Sequence, residues 1–468
     1  MKRDELANNP GFRRWPTRAL ASAVAAVVTP AAAIAGSAAP QATYTVSNCT
    51  DHDPGSLRDV IASVPDGSTI TMGGACTPIT LSSALIVNQN TLTIDLHFST
   101  SYEMVLDAGH RDRVIFHTGS GKLSLRDMTI SNGAASLDSG TVVGGCLWSQ
   151  GAVELVDSVV SGCELITKDG TALGGGIYAS SGLYLTGATL TGNLAWANGS
   201  GSAKGGGAYS KQRLYAHYST VSGNNAKYDT HNATASAGGG LYAASIVTIQ
   251  SSVVDNNRAG LGAGIEIHAN GGSATVGHLV NSTISGNAAA NGGGGVATNA
   301  IIEIDNSTIA FNSAQSASGG GGVLVGASQP IGLYSTIVAN NSAPSGAKYD
   351  ANLGSAPSAN VYGDHDLVVS ANAPLPAGTV RLDPQLQPLR DNGGATRTHA
   401  VVAGSPAIDA GSNRQNLGHD QRGPCGLRFL RSVGVGPDIG AFEWQAPGDG
   451  ETIFKDGFDP LQTLICIS

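Results

Sequence analysis

Apolar positions along this chain come in short alternating bursts that change parity. Leu123 and Leu125, Leu183 and Leu185, Val247 and Ile249, and Ile302 and Ile304 each stand two apart, the spacing that puts side chains on one side of a strand. A few residues on, the parity slips: Ile302 and Ile304 are even, Ile309 and Phe311 odd, and the same flip separates Leu185 from Leu190 and Ile249 from Val254. A slip that recurs at one place marks a corner. The pattern therefore predicts short strands joined by sharp bends, none long enough to bury a core by itself.

The corner carries a repeated phrase: MTISNG (128–133), SVVSGC (158–163), ATLTGN (188–193), STVSGN (219–224), SVVDNN (252–257), STISGN (282–287), STIAFN (307–312) and STIVAN (335–340). A second phrase keeps step with it, as GGCLW at 144, GGGIY at 174, GGGAY at 205, GGGLY at 238, GAGIE at 262, and GGGV at 293 and 320. Two phrases locked to one period mean one structural unit per period. Stacked units pair each strand in parallel with its counterpart one turn away, about 4.8 Å distant. β-branched alternation and glycine runs exclude helical repeats of similar period. The predicted fold is all-β: a single-stranded right-handed parallel β-helix with three short strands per turn, about ten to twelve turns, and a length on the order of 50 to 60 Å. Ile284 and its equivalents face inward. Asn193, Asn224, Asn257, Asn287, Asn312 and Asn340 recur at a bend where side-chain amides can bond from turn to turn.

An open stack needs caps. The stretch GSLRDVIASVPDG (55–67) has Ser56 and Asp59 as a capping box, Leu57, Val60, Ile61 and Val64 at helical spacing, and a Pro65/Gly67 stop, so a short helix is expected over the first turn. The repeat fades near residue 380. Beyond it, Pro406 and glycines 393, 394, 404, 411 and 440 mark a turn-rich cap, with Asp391, Asp409, Asp420, Arg422 and Asp438 as its expected buried polar network.

Composition narrows the class. The 468 residues include 65 glycines, only 13% are charged, and the net charge is −9. Residues 1–35 hold five basic and two acidic side chains, leaving −12 on the rest, which argues against nucleic acid as a partner. Basic residues up to Arg18, an apolar stretch from Ala19 to Val28 and Ala33-Ile34-Ala35 read as an export signal with its cleavage site. No other apolar run reaches membrane length, so no membrane span is expected after signal removal. The six cysteines stand in the exported part, and proximity favours disulfides Cys49–Cys76 and Cys146–Cys163, the second pair occupying a glycine and an asparagine position of one turn. Cys425 and Cys466 are left without an assigned partner. No C-x-x-C spacing suggests a metal site.

Two stretches carry a family resemblance. NCTDHDPGSLRDVIASVPDGSTITM at the front, and LDPQLQPLRDNGGATRTHAVVAGSPAIDAGS followed by DQRG and GPDIGAFE at 382–443, resemble the bacterial exported β-helix proteins of the choice-of-anchor Q domain type. The repeats between are similar to the pectin-lyase-like superfamily and, more loosely, to polymorphic outer-membrane protein repeats. The resemblance implies export, a β-helix and a characteristic C-terminal segment, in a family with no settled activity. The expected organisation is a signal peptide at 1–35, an N-terminal cap and first turns at 42–127, a repeat β-helix at 128–380, a C-terminal cap at 381–446 and a tail at 447–468. The tail segment ETIFKDGFDP resembles short C-terminal tags on related exported proteins.

Candidate chemistry lies on the strand after the glycine run. Trp148, Tyr178, Tyr209 and Tyr242 hold one position in four consecutive turns, Glu266 takes it in the next, and His268 lies beside it on the same face. Aromatic side chains and a carboxylate in a column suit carbohydrate, although stacking that merely stabilises the sheet is the favoured explanation of the aromatics. An enzyme would need carboxylates with a base. Asp255, Glu266 and His268 fall near one turn with Arg258 as a trial base, and lyases of this fold use acidic calcium ligands, so calcium is expected only in that case. The favoured reading is an exported, monomeric, extracellular or surface rod with a structural, adhesive or glycan-binding role, needing no cofactor and meeting polysaccharide or cell-surface glycan. The alternative is a polysaccharide lyase or glycoside hydrolase acting on an acidic polysaccharide.

Overall fold

Most bends of each repeat carry a residue in the left-handed region, and the strands between them follow from that. The computed structural model describes residues 42–97, 104–228, 236–269, 276–316, 319–326, 329–345, 352–355, 360–423 and 434–445. The export signal, Cys425, Cys466 and the tail lie outside the described residues. One turn runs through Lys122–Arg126 on a first face, Met128–Ser131 on a second, Ala134–Val143 in a lateral arm, and Leu147–Ser149 on a third face. Every strand pairs in parallel with its counterpart one turn on, Leu123 with Val153, Ile130 with Val160 and Leu147 with Ile177. The three faces hold 12, 11 and 10 strands, a β-solenoid of about ten turns. The alternating apolar residues of all three faces share one continuous core.

The phrase NSTISGN (281–287) can now be read residue by residue. Asn281 (φ 53°) and Gly286 (φ 66°) are the two left-handed corners that bound the strand Thr283–Ser285, which is why parity slips there. Ile284 is fully buried. Ser282 and Asn287 run two ladders along the stack. In the serine ladder the backbone N–H groups of Ser219, Ser252 and Ser282 donate to the hydroxyls of Ser252, Ser282 and Ser307 at 3.0–3.1 Å. In the asparagine ladder, each Oδ1 accepts both the backbone N–H and the Nδ2–H of the preceding turn's asparagine, from Asn193 through Asn224, Asn257, Asn287 and Asn312, at 2.9–3.1 Å. The second Nδ2 hydrogen goes to an inward strand carbonyl, as from Asn257 to Val221 at 2.9 Å. Buried amides survive there because every donor and acceptor is used.

The expected last rung, Asn340, is corrected to Asn341. Asn312 donates to Asn341 Oδ1 at 2.9 and 3.0 Å, and Asn341 passes the ladder to Asn352. Thr336, not Ser335, aligns with Ser307 and Ser282, because Ser335 (φ 53°) is itself the corner residue, and Asn340 (φ 57°) is the second corner. Two adjacent asparagines hid the one-residue shift. At the other end Cys163 N–H donates to Asn193 Oδ1, so Cys163 holds the first rung's position. Its disulfide partner is Cys146, and Cys49 is joined to Cys76. In ordinary turns the Cys146 position is a glycine: a Cβ on Gly207 would stand 2.6 Å from the Gly240 carbonyl and 3.0 Å from the Asn224 amide carbon. The disulfide thus replaces a glycine–asparagine contact with a bond.

The arm is the element the apolar pattern did not reveal. It forms a nine-stranded fourth sheet between the second and third faces. Its separate core is mostly alanine, with Ala172, Ala195, Ala203, Ala226 and Ala289 around Leu165 and Val142, and alanine leaves little trace in a hydrophobic reading.

At the front, Leu57–Ser63 is helical, with Ser56 accepting from the Asp59 N–H and Asp59 reaching back to the Gly55 N–H at 2.8 Å. The Gln89 amide takes the free Ile61 and Val64 carbonyls. Leu57, Val60 and Ile61 join the common core. The turn-rich C-terminal segment lies along the outer side of the second face, not across the stack's end alone. It follows the rod as a strap, bonding to Ser251, Thr283, Ser285, Thr308 and Ser335 through Thr396, Gln421, His399, Ala441 and Gly440. Its buried network joins Asp420, Arg422, Asp438 and Glu443. Asp409 borders that network through its N–H, whereas Asp391 is exposed and caps Gly393.

Candidate functional site

The third face presents one outward residue per turn, since each of its strands is three residues long with inward first and last positions. Register places Phe116, Trp148, Tyr178, Tyr209, Tyr242 and Glu266 in line. The rings form two stacks, one of Phe116 and Trp148 and one of Tyr178, Tyr209 and Tyr242. Phe116 and Trp148 lie 4.3 Å apart, Tyr178 and Tyr209 5.4 Å, and Tyr209 and Tyr242 5.0 Å, with interplanar angles of 20°, 9° and 7°. Strand spacing near 4.8 Å permits this geometry between aromatic neighbours in register. Ring faces are thereby turned to each other, and edges and hydroxyls are what the surface offers. Trp148, Tyr178 and Tyr209 remain half-buried, whereas Tyr242 is only 3% exposed.

The arm's returning strands wall the column on one side. Ala237 and Leu261 pack with Tyr209 and Tyr242, and Lys204 Nζ stands 5.2 Å from the centre of the Tyr242 ring. At the other end, Arg113 lies 5.8 Å from the Phe116 ring centre. Burial pushes the Tyr178, Tyr209 and Tyr242 phenols up, so all three stay protonated donors. Sequence reasoning missed Phe116 because Asp112-Arg113-Val114 stand where other turns have the glycine run, and Lys204 because it lies in the arm.

Glu266 ends the aromatic run. It is 4% exposed, and its Oε1 lies 3.8 Å from His268 Nδ1, while Oε2 has no hydrogen-bond partner. Burial raises its carboxyl above the usual carboxylate range, opposed by His268 and Lys204. The left-handed Gly262 makes room for it, since a Cβ there would meet Oε2 at 2.7 Å. The His268 side chain is 41% exposed and so gives the acid a path to solvent.

The structure does not bring the enzyme candidates together. Asp255 is on the second face, fully buried under the strap, where Arg397 Nη2 donates to both of its oxygens at 2.8 Å. Burial raises its carboxyl against the pull of Arg397. Arg258 is exposed at the start of an arm strand paired with Asn225. Asp305 is likewise held by Arg414 at 2.9 and 3.0 Å. Glu266 and His268 stand on the third face without either aspartate. Calcium shared by these carboxylates therefore has no common ligand set, and among the described residues no group of three acidic, histidine or cysteine side chains fits a metal.

No family model and no curated protein matches the chain. A solved structure, that of pectate lyase Pel9A, is similar over 87% of this chain and 98% of its own, at 11% identity and a TM-score of 0.42, a likeness too distant to bear on activity.

Proposed function

We propose that this protein is an exported β-helical rod whose third face binds polysaccharide along the half-buried rings Phe116, Trp148, Tyr178 and Tyr209, backed by the buried Tyr242 and Glu266. The single observation that carries the reading is the column itself: aligned, half-buried aromatic edges and protonated phenols, walled by the arm and ending at an acid with a free oxygen beside His268 and Lys204. Ring edges and hydroxyls contact the C–H groups and hydroxyls of a sugar chain lying across them. Two disulfides fit an oxidising compartment, and no helix among the described residues is long and apolar enough to cross a membrane. Membership of the choice-of-anchor Q class rests on the motif at 391–443.

Binding without turnover is favoured over the lyase or hydrolase alternative because Asp255 and Asp305 are neutralised by strap arginines and stand apart from Glu266. Gel retardation on a panel of soluble polysaccharides, read beside ultraviolet absorbance for unsaturated products with and without calcium, tests both. The expected result is retardation by at least one polysaccharide, lost in Tyr209→Ala, with no product. Product formation abolished by Glu266→Ala would establish the enzyme instead.

A further inference from the structure

The arm begins abruptly at Ala134–Val143, and the preceding turn crosses from the second to the third face through residues 108–114 with no strand there. This ten-residue strand pairs with Glu164–Leu173 on one side only. On its other side the Ala134 N–H is taken by the Asp112 carbonyl and the Val143 carbonyl by Arg113 Nε at 3.0 Å. Among the described residues nothing pairs the edge between them. Residues 136–141 are all exposed, Leu137 at 48%. Natural edge strands are guarded by lysine, proline or a covering element. Ala-Ala-Ser-Leu-Asp-Ser-Gly-Thr-Val-Val has neither lysine nor proline, and Gly140 (φ 90°) bends it without closing the edge.

The surroundings suit a contact. Two grooves, of about 410 and 450 Å³, border the strand and share Ser136, Leu137 and Ile166. Their charges divide evenly. Asp112 and Arg113 are engaged at home, Asp112 by the Ala84 and Arg113 N–H groups and Arg113 by the Val143 and Gly144 carbonyls. Arg111 and Glu164 then line one groove and Asp138 and Lys168 the other, one charge of each sign in each. The chain carries a net charge of −9, which opposes contact between acidic surfaces of two copies. This surface is neutral and carries both signs, the pattern an isologous contact needs.

We infer that the open edge of Ala134–Val143 pairs antiparallel with the same strand of a second copy, making the arms of two rods one continuous sheet. A dimer replaces the monomer expected from the sequence. An edge contact of this length is small, so the dimer should be transient and of micromolar affinity.

Sedimentation equilibrium of the signal-free chain from about 1 to 100 μM tests this beside Leu137→Lys/Thr141→Lys, which places cations on two exposed edge positions. The expected result is concentration-dependent dimerisation by the parent and a loss of at least about tenfold in affinity in the variant, with an unchanged melting temperature. A parent that stays monomeric throughout, or a variant that dimerises as well as the parent, would overturn the proposal. So would a dimer seen only after residues 446–468 are deleted, because the edge would then be covered by the chain's own terminus.

Discussion

Asn257 uses all of its side-chain hydrogen-bonding groups inside the stack: Oδ1 serves two donors of Asn224, and Nδ2 serves Asn287 and Val221. Asn257→Ala strands both Asn224 donors where no water reaches, and each orphaned group costs about 1–3 kcal/mol. We expect a loss on the order of 3 kcal/mol or more in urea unfolding. Asn340→Gly should be close to neutral, since residue 340 is a left-handed corner outside the ladder. Comparable losses at both sites would contradict the assignment of Asn341 as the rung. Asp366 makes a second test. It continues the serine ladder by accepting the Thr336 N–H at 3.0 Å, and burial pushes its carboxyl up to about 8. A folded pKa above the ordinary 3.8 favours the neutral form, so its stabilising contribution is full below about pH 4 and is lost as pH rises through about 8. Asp366→Ser, which keeps an acceptor, should flatten the fall in melting temperature across that window. An unchanged slope would remove Asp366 as its source.

Among the elements, the strap and the arm separate what sequence could tell from what it could not. The strand alternation, the corners and the starting helix are legible because β-branched and leucine side chains repeat against a fixed glycine and asparagine frame. The strap's place is not, since it is fixed by single contacts between distant residues. Arg397 with Asp255 and Arg414 with Asp305 are separated by 142 and 109 residues. Asp255, a candidate catalytic acid by sequence, is bonded by the strap's Arg397. Arg397→Ala leaves a fully buried carboxylate without its cation and should cost about 3–5 kcal/mol. Adding Asp255→Ser, the residue found at the equivalent positions 222 and 285, should recover most of it. If the double variant is as unstable as the single one, the ion pair is not what holds the strap. The column on the third face was legible as a column, whereas its face-to-face stacking and its lysine neighbour depend on interstrand spacing and on an arm built of alanine.

For the whole molecule, the in-register stack and the functional reading meet in one quantity, the length of ligand the third face can engage. From Phe116 to Tyr209, the half-buried rings, there are three strand steps, about 14 Å at the usual spacing. A sugar chain lying along that column gains contacts with each added unit until the span is covered. Calorimetric titration with a size series of oligosaccharides cut from a retained polysaccharide measures this directly. The account predicts affinity that climbs with length and levels off once the oligosaccharide spans about 14 Å, with the climb shortened in Tyr209→Ala. Equal affinity for the shortest and longest members, or no heat from any of them, would contradict it.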